Sequence, residues 1–81
     1  MDIVIVGGLG TETRQLENAL AQAVSELGIQ VSIGVATGVR EMAAYDVHRM
    51  PALVIDGKVV YDGTVPGVEE LKKVLLERSG R

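Results

Sequence analysis

Apolar residues recur along this chain with two periods, and glycine or proline stands near most of the places where the period changes. Ile3 to Val6 is an unbroken β-branched run, the pattern of a strand buried on both faces of a sheet. From Thr11 to Leu27, Leu16, Ala19, Leu20, Ala23, Val24 and Leu27 follow the i, i+3, i+4, i+7 rhythm of an amphipathic helix. Gly28 is placed to end that helix in the left-handed conformation. Gln30 to Val35 alternates Val31, Ile33 and Val35 with Ser32 and Gly34, which predicts a half-exposed edge strand. A short, weak helix is predicted at about Val39 to Ala44, with Met42 and Ala43 as its core contacts. After Pro51 come a strand at Ala52 to Ile55, the turn Asp56-Gly57 and a strand at Val59 to Tyr61. Asp-Gly between two β-branched runs is a strong hairpin signal. A last helix starts after Pro66-Gly67 and reaches about Arg78, burying Val68, Leu71, Val74 and Leu75. The order is βαβαββα. Its opening βαβ unit predicts two parallel strands joined by a right-handed crossover.

Composition sets the scale. The 81 residues suit one domain, 1–81, and 47% of them are hydrophobic, with two tyrosines and no Phe or Trp. Aliphatic side chains alone can fill a small core to native density. That apolar fraction excludes a disordered tail, and no apolar run is long enough to cross a bilayer. The start, Met1-Asp2-Ile3-Val4-Ile5-Val6, lacks the basic and long apolar regions of a secretory leader, so the expected location is cytoplasmic. A net charge of −3, with the basic residues scattered apart from Lys72-Lys73, argues against nucleic acid as a partner. The absence of cysteine removes disulfides, thiolate metal sites and thiol catalysis together. One histidine leaves no zinc site. No metal, cofactor or catalytic residue is expected.

The candidate chemistry gathers where the first strand turns into the first helix, Gly7-Gly8-Leu9-Gly10. Backbone N–H groups at such a corner can receive an anion, yet no Gly-Lys-Ser/Thr follows as a P-loop needs. Thr13 stands where a dinucleotide fingerprint needs its third Gly or Ala. Glu12, in the first turn, already complements the helix dipole and repels phosphate. The plainer reading is a tight corner with Gly10 as N-cap and Thr11 or Thr13 satisfying free amides. Thr13 as a nucleophile would need His48, the one conventional base, beside it. A lone histidine at the end of a short helix is more often a solvated residue.

Met50-Pro51-Ala52-Leu53-Val54-Ile55-Asp56-Gly57-Lys58, followed by Val65-Pro66-Gly67-Val68-Glu69-Glu70-Leu71-Lys72-Lys73, carries a resemblance. With Leu16-Glu17 on the first helix and Glu26-Leu27-Gly28-Ile29 after it, the chain resembles the small thioredoxin-like redox-active disulfide proteins, close to glutaredoxin in size. The resemblance covers essentially the whole chain. It implies an α/β, three-layer fold with a four-stranded mixed sheet in the order 2-1-3-4. The first pair of strands is then parallel and the last antiparallel, with helices one and three on one face and helix two on the other. The family's C-x-x-C motif, aligned on Leu16-Glu17, falls on Gly10 and Thr13. With both cysteines gone, disulfide exchange has no sulfur to attack and none to leave.

The resemblance further implies a cis Pro51, with Met50 offering its backbone N–H and C=O to an extended peptide and a soft apolar side chain beside Gly10 and Thr13. Pro51 as a plain strand start, with Met50 packing locally, is the alternative. Arg14, Arg40 and Arg49 would flank such a groove, or simply form solvated surface. The expectation is a redox-inactive module that binds a peptide or partner protein through Gly10, Thr11, Glu12, Thr13, Met50 and Pro51. Two alternatives stand beside it: a binder or enzyme for a small anion or small thiol at the glycine corner, and an assembly protein pairing through the strand-two edge or an apolar helix face.

Overall fold

A computed structural model describes residues 1–8 and 10–79. Leu9 of the glycine corner lies outside the described residues. The elements are β1 (Asp2–Val6), α1 (Thr11–Leu27), β2 (Ser32–Ala36), α2 (Val39–Ala44), β3 (Ala52–Ile55), β4 (Lys58–Asp62) and α3 (Val68–Arg78). They form a four-stranded sheet in the order β2-β1-β3-β4. β1 and β2 run parallel, whereas β3 is antiparallel to both β1 and β4. The expected α/β topology is the observed one. β2 begins two residues later than its alternation predicts. The register explains why: Asp2 pairs with Ser32, so Gln30 and Val31 precede the start of β1 and have no strand beside them.

Both faces of the sheet are used, unequally. Ile3, Ile5, Leu53 and Ile55 pack beneath Leu16, Leu20 and Ala23 of α1 and Leu71 and Leu75 of α3. Each fully buried leucine there contributes about 1.5–3 kcal/mol through removal from water. On the other face Val6, Ala52 and Val54 meet Val47, with Met42 and Tyr45 partly buried against them. Ala43, expected in the core, is exposed. α2 is only six residues long and buries none of them. The chain reverses at Asp46 (φ 59°), and Val47 re-enters the core with its N–H on the Met42 carbonyl at 2.8 Å. The residues just after α2 thus do the packing that its short length prevents.

Helix and hairpin ends follow local rules. Gly28 closes α1 in the left-handed conformation (φ 67°, ψ 26°), its N–H on the Val24 carbonyl at 3.0 Å. Asp56 and Gly57 (φ 50° and 83°) supply the two left-handed residues that a tight hairpin needs. Polar contacts tie α3 to its neighbours. Tyr61 donates its hydroxyl to Glu70 Oε2 at 2.8 Å, and Lys72 Nζ donates to Glu26 Oε1 at 2.9 Å. Burial, reinforced by Glu70, pushes the Tyr61 phenol up to about 12. The Lys72 hydrogen bond holds the Glu26 carboxyl below the ordinary range.

Candidate functional site

The sheet register brings two segments together at one end. Val6 pairs with Ala52 across an antiparallel ladder, so Gly7, which follows one, lies next to Pro51, which precedes the other. Gly7 stays on the sheet by donating to the Ala36 carbonyl at 3.0 Å, while the Pro51 carbonyl accepts from Gly63 N–H at 2.9 Å. The Met50-Pro51 bond is cis. α1 springs from the far side of this corner. Its N-cap, Gly10, is extended (φ −78°, ψ 171°), and Arg14 N–H reaches the Gly10 carbonyl at 3.3 Å.

Thr13 does not cap that helix. Its side chain is turned inward, 5% exposed, and occupies the space above Gly7. A Cβ at Gly7 would lie 2.5 Å from Thr13 Oγ1. Thr11 is exposed. Among the described residues neither threonine side chain hydrogen-bonds a helix amide, contrary to the capping reading. A β-branched side chain whose methyl and hydroxyl fill a hole over a glycine is a packing residue, and its burial overrides the local preference for capping.

The structure also separates Thr13 from a base. The His48 side chain is 75% exposed, with Nδ1 3.3 Å from Asp62 Oδ2 and Nε2 3.9 Å from Asp46 Oδ1. No hydrogen bond joins it to Thr13 among the described residues. The nucleophile–base contact that catalysis would need is not formed.

A residue that the sequence did not single out organises the other wall. Asp62, at the end of β4, accepts Arg49 N–H at 2.7 Å and His48 N–H at 3.2 Å. These two main-chain bonds fix the strand approach immediately before Met50. The Arg49 amide, more than the His48 contacts, holds the Asp62 carboxyl below the usual aspartate range although partial burial opposes it. Arg49 also lays its aliphatic stem on Gly63 (φ 86°), where a Cβ would meet Arg49 Cβ at 2.7 Å. Contacts thirteen and fourteen residues apart leave no periodic trace, so only the Asp62-Gly63 pair that closes the fourth strand could have hinted at the clamp.

Met50 emerges from this fixed loop with 43% of its surface exposed. Among the described residues neither its N–H nor its carbonyl has a backbone partner. Pro51 beside it is buried. Of the remaining expected site residues, Gly10 and Glu12 are exposed on the first turn, and Arg14 lies with Gly8, Gly10 and Glu17 around a cleft of about 60 Å³. That cleft is far below the several hundred Å³ of an ordinary small-molecule site, and Glu17 opposes the charge of Arg14. A larger hollow, about 360 Å³, lies at the opposite end of the sheet, between Asp2, Val4, Gly34, Tyr45 and Val54, where α2 does not cover the strands. It is remote from the corner. No cluster of three metal-ligating side chains exists among the described residues.

A 2-1-3-4 sheet, a helix rising from a glycine corner and a cis proline next to that corner define the thioredoxin-like class. Residues 1–76 match the family model described as thioredoxin domain, and the chain belongs to that family. A thioredoxin of Methanocaldococcus jannaschii is 34% identical over 76 residues, covering 93% of this chain and 87% of the relative. A thioredoxin of Methanothermobacter thermautotrophicus is 31% identical over 75 residues, covering 93% and 97%. This chain has no cysteine, so it cannot perform dithiol exchange with thiols of its own. No helix among the described residues is long and apolar enough to cross a membrane.

Proposed function

We propose that this chain is a redox-inactive thioredoxin-like module that binds an extended peptide or a partner's extended segment across the Gly10–Thr13 corner and Met50, without catalysing a reaction. The observation that carries this reading is the Met50 main chain. Its N–H and carbonyl are unpartnered among the described residues, on a loop whose two preceding amides are bonded to Asp62. Such a pair of groups is the minimal template for strand addition: main-chain bonds give affinity and neighbouring side chains give selectivity. A rigid loop loses little conformational freedom on binding. The half-exposed Met50 side chain adapts its shape to varied apolar contacts.

Peptides selected from a random dodecapeptide library on the folded protein test this reading directly. Titrated into isotope-labelled protein, a selected peptide is expected to shift the amides of Gly10, Thr13 and Met50 most. Shifts clustered away from those residues, or a selection that yields no binder, would contradict it.

A further inference from the structure

The two edges of the sheet are finished differently. β4 starts at Lys58, ends at Asp62, and has a register irregularity opposite Leu53 and Val54. Charge and bulging are the usual means of stopping an edge from pairing with another chain. β2 has neither. From Gly28 to Gly38 the sequence carries no charged residue and no proline, in a chain that is 23% charged.

The side chains and backbone of β2 are correspondingly unspent. Ile33 and Val35 are 44% and 50% exposed. They stand in register with Ile3 and Ile5, on the face that α1 and α3 cover, yet neither belongs to the core there. Ser32 N–H bonds the Met1 carbonyl, and the Ala36 carbonyl accepts from Gly7. In a parallel ladder alternate residues bond the same neighbour. Ser32, Gly34 and Ala36 therefore spend their main-chain groups on β1, while Ile33 and Val35 turn theirs outward.

We propose that β2 pairs antiparallel with β2 of a second copy about a two-fold axis at Gly34, joining the two sheets into one. In this register Ile33 faces Val35 of the second copy and Val35 faces its Ile33, and each pair exchanges both main-chain bonds. The exposed aliphatic side chains then cover one another on the helical face. On the opposite face the axis brings together only glycine, with Ser32 against Ala36. A shift of two residues one way would put Thr37 opposite Ile33; the other way would move the axis to Ile33 and draw in Val31, which already packs against the core of its own chain. The occupant is a second copy because the strand is its own complement: a two-fold axis doubles every charge the strand carries, and β2 carries none, Asp2 lying one strand inward on β1. The contact is a single edge, below the area of a permanent dimer, so association depends on concentration. It leaves the Met50 groove untouched and stands independently of the peptide-binding reading.

Sedimentation equilibrium from about 10 μM to about 1 mM, the range in which weak interfaces fill, tests the proposal together with amide exchange on the same samples. The mass is expected to rise from 8.6 kDa toward twice that value. Protection should rise with concentration at the Ile33 and Val35 amides, while Gly34, already bonded inward, changes little. Ile33→Lys should hold the protein monomeric across the range. The exchange pattern of the unaltered chain decides the matter should that variant not fold. A mass constant at 8.6 kDa, a dimer whose Ile33 and Val35 amides stay unprotected, or open-ended polymers would each overturn it.

Discussion

Gly7 lacks a side chain because Thr13 already fills the space a Cβ would take, 2.5 Å from its Oγ1. Together the two residues set how closely α1 approaches the end of β1. Gly7→Ala is expected to destabilise by about 1–3 kcal/mol, the cost of overpacking a filled site, read as a lower urea midpoint. Adding Thr13→Ala should return part of that loss, giving a double-mutant coupling whose sign shows relief. Additive effects would mean that the two side chains do not compete for one space. In the sequence Thr13 was visible as a family motif position, a cap or a nucleophile candidate, never as a packing residue. Its burial depends on what lies across the corner, and no local pattern reports that.

Elements were far more legible than sites. α1, α2, β3 and α3 have the bounds predicted for them: the periods of α1 and α3 are the direct imprint of one buried face, and β3 is an apolar run buried on both. The exceptions are informative. α2 kept its place and the expected contact of Met42, partly buried, but Ala43 is exposed and the fully buried contact passes to Val47, since a helix of six residues presents little of a face. The residues alone made the 48–50 loop legible as a proline-led strand start, and the family resemblance added the cis bond before Pro51. The amides ahead of Met50 are held by Asp62, a contact between β4 and the loop that spacing does not encode. That clamp predicts a pH dependence. The Asp62 carboxyl titrates lower in the folded chain than in the unfolded one, so its contribution is complete above the ordinary aspartate value of about 3.9 and is lost as pH falls through the lower folded value. The Arg49 amide shift should therefore move with a midpoint below about 3.9, and Asp62→Asn should abolish the movement. A midpoint at or above that value would show that the carboxylate is not engaged.

At the scale of the whole molecule, a family frame has been kept while its usual reagent is missing. Residues 1–76 match the thioredoxin domain family and the sheet has the order β2-β1-β3-β4, yet the chain holds no cysteine; the resemblance implies that Gly10 and Thr13 stand in place of the family's pair. Sulfur chemistry is lost completely when the sulfur goes, but main-chain groups and fixed loops do not depend on it. On the proposed reading the corner keeps its geometry without the atoms of sulfur chemistry. The most direct measurement is insulin disulfide reduction, with dithiothreitol as the electron source, by the unaltered chain and by the double variant Gly10→Cys/Thr13→Cys. The unaltered chain should add nothing to the dithiothreitol background. The variant should close a reversible intramolecular disulfide and accelerate reduction well above that background, because residues one helical turn apart fall within disulfide reach and the helix start favours a reactive thiolate. A folded variant that forms no internal disulfide and accelerates nothing would contradict the account.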